Sequence, residues 1–249
     1  MLSRRLKRKK QWRQRLIMLT LLLCLIGVIG GFGYHKFHAG TRPNIKSFPV
    51  LGLRVSQDDG FLDFQNLQKA GVNFVYLRAS QGKSYSDDNF STNYWRAVGT
   101  NMAIGVYQDY SFTSSPKAQY RQFSQTVGQQ SGNLPIMINV TYYGNYQKEP
   151  PTSSRQITHL REFVNLLRTN YHRSVVLLGN QQVATTLLKR LKLPYALASQ
   201  RLPKDQHNLV FWEYSEAGKL KVAGQNQRYT TLVYLHKQAR WQQFISVGQ

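Results

Sequence analysis

With 249 residues, 41% of them hydrophobic, the chain is long enough for one sizeable core plus an appendage. Cys24 is the only cysteine, so a disulfide framework is excluded. The formal net charge of +22 is uneven: eight cations fall between Arg4 and Arg15, and the +14 beyond them is dispersed, which speaks against a nucleic-acid interface. In chain order, residues 1–15 form a basic segment. Leu16 to Tyr34 then runs without a charge, long enough at about 1.5 Å per residue to cross a hydrocarbon layer about 30 Å thick. The basic flank predicts a single-pass transmembrane helix at 16–34 with the N-terminus cytoplasmic and the rest of the chain outside the cell membrane. The alternative, a cleaved signal peptide, lacks its small-residue cleavage site, because Gly33-Tyr34-His35-Lys36-Phe37-His38 follows the apolar run. Cys24 follows Leu21-Leu22-Leu23, without the small residue of a lipoprotein site. Residues 35–49 contain few apolar side chains and no period, and read as a linker.

From Val50 a regular alternation begins. Strands are expected at 50–55, 74–79, 102–107, 134–140, 175–179, 195–198, 209–214 and 229–234, on β-branched and aromatic content. Helical spacing occupies 87–99, 115–127, 152–171, 181–191 and 237–244. Ser115 and Ser153 are placed to cap two of these helices. Eight strands alternating with helices predict an α/β domain at 50–247, a single β/α (TIM-like) barrel. In such a barrel, reactive groups gather at the C-terminal strand ends, where Arg54, Gln81, Asn139, Thr141 and Glu213 fall. The six histidines show no metal-ligand spacing, and no glycine-rich phosphate loop or nucleophile elbow is present, so no metal and no cofactor is expected.

Several stretches resemble glycoside hydrolase family 25, the lysozymes or muramidases that cut the β-1,4 bond after N-acetylmuramic acid. The family's G-x-D-V-S strand appears as Gly52-Leu53-Arg54-Val55-Ser56, and its K-A-T-E-G strand as Arg78-Ala79-Ser80-Gln81-Gly82. G-x-Y-H-F appears as Gly105-Val106-Tyr107-Gln108-Asp109, D-V-E as Asn139-Val140-Thr141, and W-Q-Y as Trp212-Glu213-Tyr214. The resemblance covers roughly Val50 to Phe244. It implies acidic residues where this chain has Arg54, Gln81, Asn139 and Thr141, with another near Thr230.

Glycoside cleavage needs a proton donor and a carboxylate facing the oxocarbenium-like centre. Asparagine, glutamine and threonine supply neither, and arginine places a permanent positive charge there. Asp58, Asp59, Asp109 and Glu213 are candidate substitutes, unless they serve as a solvated turn or as ion-pair partners in an arginine-rich mouth. Tyr107, Tyr142, Tyr143, Tyr146, Trp212 and Tyr214 offer flat faces suited to sugar rings, although Tyr107 and Trp212 also fit the core. The expected partners are the membrane, through the span, and peptidoglycan glycan strands or anionic wall polymers. Three functions follow: a wall-binding pseudoenzyme, an active N-acetylmuramidase with relocated carboxylates, or a protein–protein adaptor at the membrane.

Overall fold

The computed structural model describes residues 40–151 and 153–246. The basic segment, the expected span and residues 35–39 lie outside these. Among the described residues no helix is long and apolar enough to cross a membrane. The compact unit that contains the barrel begins at Gly40. The Gly40 carbonyl accepts the Lys219 amide at 3.1 Å, and Arg42 donates to the Pro49 carbonyl at 3.3 Å. Phe48 places its ring edge-on to Trp212 at 5.9 Å. One partly buried aromatic contact and these hydrogen bonds dock a segment whose composition alone reads as a tether.

All eight expected strands form. In chain order they are β1 (Leu51–Val55), β2 (Phe74–Gln81), the short added strand β3 (Tyr85–Ser86), β4 (Ala103–Asp109), β5 (Ile136–Asn139), β6 (Val175–Asn180), β7 (Tyr195–Ala198), β8 (Leu209–Val222) and β9 (Gln225–Tyr234). The helices are α1 (Phe64–Lys69), α2 (Phe90–Val98), α3 (Pro116–Val127), α4 (Ser154–Tyr171), α5 (Gln181–Val183), a π-helical turn over Ala184–Leu188, α6 (Lys189–Leu191) and α7 (Gln238–Ser246). Ser115 and Ser153 cap α3 and α4 as their positions predict, accepting the amides of Ala118 at 3.3 Å and Gln156 at 3.4 Å. Helix α1 was not expected: it is only six residues long, too short for a 3.6-residue period to show.

The sheet closes. Parallel pairing runs from β1 through β2, β4, β5, β6 and β7 to β8, and β9 completes the ring antiparallel to both β8 and β1. The barrel is therefore not the all-parallel TIM type. Only Ala223 and Gly224 separate β8 from β9, both at positive φ, 48° and 83°. That is hairpin geometry, whereas a parallel crossover needs about a dozen residues or more.

Strand alternation gives the barrel two apolar layers. Outward side chains such as Leu53, Val75, Leu77, Ile136 and Ile138 pack into the helices. Inward, the N-terminal half is plugged by the rings of Phe74, Tyr76, Phe211 and Tyr234, with Trp241 of α7 at 5.1 Å from Phe74 and Phe211 at 5.2 Å. Gly52 and Gly105 make room for this plug. A Cβ at Gly52 would lie 2.1 Å from the Phe74 ring, and one at Gly105 would lie 2.4 Å from the Tyr76 ring. Burying each such side chain stabilises the fold by about 1.5–3 kcal/mol. With that end filled, the polar inward residues are left at the opposite, C-terminal end.

Candidate functional site

The strand period of two sets the site. On β8, Phe211 points into the barrel core, so Glu213 shares its face while Trp212 and Tyr214 point the other way. On β1, Gly52 faces the Phe74 ring, so Arg54 points inward as well. Arg54 and Glu213 meet across intervening β9: Nε donates to Oε2 at 2.8 Å and Nη2 to Oε1 at 3.1 Å. Their side chains are 15% and 2% exposed. The guanidinium also lies over the Tyr107 ring, 5.1 Å from its centre. Burial opposes the charge on Arg54, but the facing Glu213 carboxylate and its hydrogen bonds outweigh this and hold the arginine pKa above its ordinary value. Burial likewise pushes the Tyr107 hydroxyl up, against the opposing pull of Arg54.

Next to this pair, Asp109 stands opposite Asn139 in the β4–β5 register and accepts its amide at 2.7 Å. Burial raises the Asp109 pKa, although the Asn139 hydrogen bond and the nearby Arg54 and Arg78 work against the rise. A register slip between Arg78 and Ser80 sets Gln81 opposite Asp109. Gln81, Asp109 and Asn139 thus stand side by side on three adjacent strands. Gln81 is exposed, and so is Thr141, just beyond the end of β5.

The second arginine carries an acid cluster. Arg78 donates from Nε to Asp87 Oδ2 at 2.9 Å and from Nη2 to Asp58 Oδ2 at 2.9 Å. Its guanidinium also reaches the Tyr85 hydroxyl at 3.1 Å. Asp87, buried, further accepts the amides of Gln57 at 2.9 Å and Asn89 at 3.1 Å. The sequence marks Asp87 only as the start of a helix, so its role as the anchor of Arg78 emerges from the fold. The Asp58-Asp59 pair is not a merely solvated turn. Asp58 is exposed yet bound to Arg78, and Asp59 closes a capping box by accepting the Ser56 amide at 2.8 Å. Burial raises the Asp59 pKa, partly offset by the hydrogen bonds from Ser56. Five of the eleven acids in a +22 chain therefore surround this rim with two arginines. Both arginines of the mouth are paired with acids, and the acids outnumber them.

The aromatic candidates separate sharply. Tyr107 lies buried beneath Arg54, and Tyr142 is buried with its hydroxyl 2.7 Å from Thr186 Oγ1 in the π-helical turn. Trp212 donates from Nε1 to the Ser199 carbonyl at 2.8 Å and packs against Phe48 and Tyr214 outside the barrel. Among Tyr107, Tyr142, Tyr143, Trp212 and Tyr214, only Tyr143 keeps a large exposed area, 40%, with its hydroxyl 3.2 Å from Ser111 Oγ. The partly buried Tyr146 stands edge-on to Tyr143 at 5.8 Å and to Phe112 at 5.4 Å. Among the described residues no group of three or more His, Cys, Asp or Glu could hold a metal ion.

Residues 54–223 match the sequence profile of the glycosyl hydrolases family 25. The chain is 25% identical over 186 residues to lysozyme M1 of Streptomyces globisporus, covering 69% of this chain and 63% of that protein. It is 28% identical over 118 residues to the uncharacterized protein YegX of Escherichia coli strain K12, covering 45% of this chain and 43% of YegX. The chain thus spans less than two thirds of the length of these curated relatives. A family 25 glycosyl hydrolase from Bacillus anthracis superposes with a TM-score of 0.73 at 24% identity, over 85% of this chain and 99% of that one, a likeness that speaks for the fold.

Proposed function

The chain belongs to the glycosyl hydrolases family 25, and from that membership we propose that it is a membrane-anchored, lysozyme-like domain that binds peptidoglycan glycan strands without hydrolysing them. The observation that carries this reading is the buried pair of Arg54 and Glu213. Arg54 stands where the family's G-x-D-V-S strand has its aspartate, and Glu213 where W-Q-Y has its glutamine. An acid thus stands on a different strand from the family's aspartate, and Arg54 binds it.

A glycosidase of the usual kind uses two carboxyl groups, one giving a proton to the leaving oxygen and one serving as nucleophile or as base for water. Asn139 and Thr141 ionise in neither role. Glu213 accepts two N–H groups of a permanent cation, one on each carboxylate oxygen, so both oxygens are already engaged by Arg54. Asp58 is engaged by Arg78 and Asp59 by the Ser56 amide. Asp59 and Asp109 stand outside ion pairs, but Asp59 is tied into the Ser56 cap and Asp109 accepts the Asn139 amide at 2.7 Å, so no pair of carboxylates is left without protein partners for a reaction that requires two. The raised pKa of Asp109 is the observation that favours the second reading, an active N-acetylmuramidase with Asp109 as proton donor. The acidic mouth fits uncharged sugar and acetamido groups beside Tyr143 better than it fits an anionic polymer. Residues 16–34 would hold the domain at the outer face of the cell membrane, with residues 1–15 in the cytoplasm.

The test is incubation of the full chain with purified wall sacculi, following co-sedimentation and release of soluble muropeptides together. Binding without release is expected. Muropeptide release that Asp109→Asn abolishes would replace this reading with the second one, and absence of sacculus binding would favour an adaptor role.

A further inference from the structure

Far from the acidic mouth, where α4 ends and β6 begins, lies a cleft of about 420 Å³ lined by Asn165, Arg168, Thr169, His172, Arg173 and Ser174. We propose that this cleft binds a phosphate group, independently of what the mouth does. Three observations converge on it. Its lining contains two arginines and a histidine and no carboxylate, and among the described residues no acid forms an ion pair with any of the three. The Arg173 Nη1 atom is buried and has no hydrogen-bond partner. Asn165, Thr169 and Ser174 add short polar side chains at the same wall.

A buried guanidinium donor without an acceptor is costly, and native structures rarely keep one unless an ion or water completes it. Cations at a helix C-terminus commonly cap its free carbonyls. Here the Arg173 Nη1 donor has no acceptor within the protein, and an oxyanion in the cleft would supply one. A tetrahedral oxyanion fits: guanidinium forks match phosphate geometry, and hydroxyl and amide groups complete its remaining oxygens. The charge distribution points the same way, because five of the eleven acids lie at the mouth while the cleft lining holds no carboxylate.

The same phosphate chemistry occurs in free phosphate, in a wall polymer with phosphodiester links and in a phospholipid headgroup. Binding of the full chain to inorganic phosphate, to poly(glycerol phosphate) and to phosphatidylglycerol vesicles separates these sources. Arg168→Gln and Arg173→Gln are each expected to weaken the binding by at least about tenfold, the effect of losing one charge-assisted contact. Arg161→Gln, which removes an exposed charge on the same helix away from the cleft, should leave it within about twofold, since a remote surface charge is largely screened. Arg168 is exposed, so its variant stays informative if Arg173→Gln does not fold. Equal weakening by Arg161→Gln, or no binding in any of the three arms, overturns the proposal.

Discussion

Replacing Glu213 by glutamine tests the Arg54–Glu213 pair directly. Glutamine keeps the shape and one acceptor oxygen, but it removes the counter-charge from a guanidinium whose side chain is only 15% exposed. Breaking a buried ion pair from one side costs about 3–5 kcal/mol. Arg54 retains the Tyr107 ring at 5.1 Å and one acceptor, so the lower end applies, about 3 kcal/mol. Set against a total domain stability of about 5–15 kcal/mol, that is a large fraction. For a domain of this size each kcal/mol moves the midpoint by about 2–4 °C, so Tm should fall by about 6–12 °C. The double variant Arg54→Met/Glu213→Leu removes both charges and refills the space with apolar atoms. Such replacements are neutral or stabilising by about 1–4 kcal/mol, so its Tm should equal or exceed the parent's. Thermal unfolding of the full chain followed by circular dichroism, with both single variants completing the cycle, measures the coupling. The reasoning fails if Glu213→Gln shifts Tm by less than about 2 °C, or if the double variant is as damaging as the two single changes added together.

Asp109→Asn tests the buried carboxyl. Because burial raises its folded pKa above the unfolded value, the folded state holds the proton more tightly. The group favours folding most at low pH, and this contribution is lost as pH rises from the ordinary aspartate value of about 3.9 through the raised folded one. The asparagine variant should therefore be the more stable protein at neutral pH, with the gap closing below that window. Urea midpoints across pH check this, and a gap that widens on acidification contradicts it. Asp59 shifts in the same direction, so some pH slope should survive in the variant. Trp212→Ala should cost about 3–5 kcal/mol, as for a buried aromatic, while Tyr143→Ala should stay within about 0.5 kcal/mol, as for a surface change, yet weaken co-sedimentation with sacculi. The reverse pattern would place the glycan on Trp212. Finally, the combined variant Arg54→Asp/Asn139→Asp/Thr141→Glu/Glu213→Gln returns four positions to the family pattern and should release muropeptides where the parent does not. No gain in a properly folded variant would mean that the groove itself has changed.

What the sequence determined by itself was local. Periodicity of two and of 3.6 depends on near neighbours, so the eight strands and the caps at Ser115 and Ser153 were legible, and so was the set of residues at the C-terminal strand ends. The inward face of β8 was legible too: once Glu213 points in, Trp212 and Tyr214 must point out, and the expectation that they face sugar overlooked this alternation. Partner choice belonged to the tertiary structure. Arg54 and Glu213 lie 159 residues apart and meet only because β9 returns antiparallel through the Ala223-Gly224 turn and closes the ring between them. Asp87 became the anchor of Arg78, and Tyr142 turned inward to Thr186, for the same reason. A side chain's direction follows from its own strand, but its electrostatic partner is fixed only when distant strands close and exclude water between them.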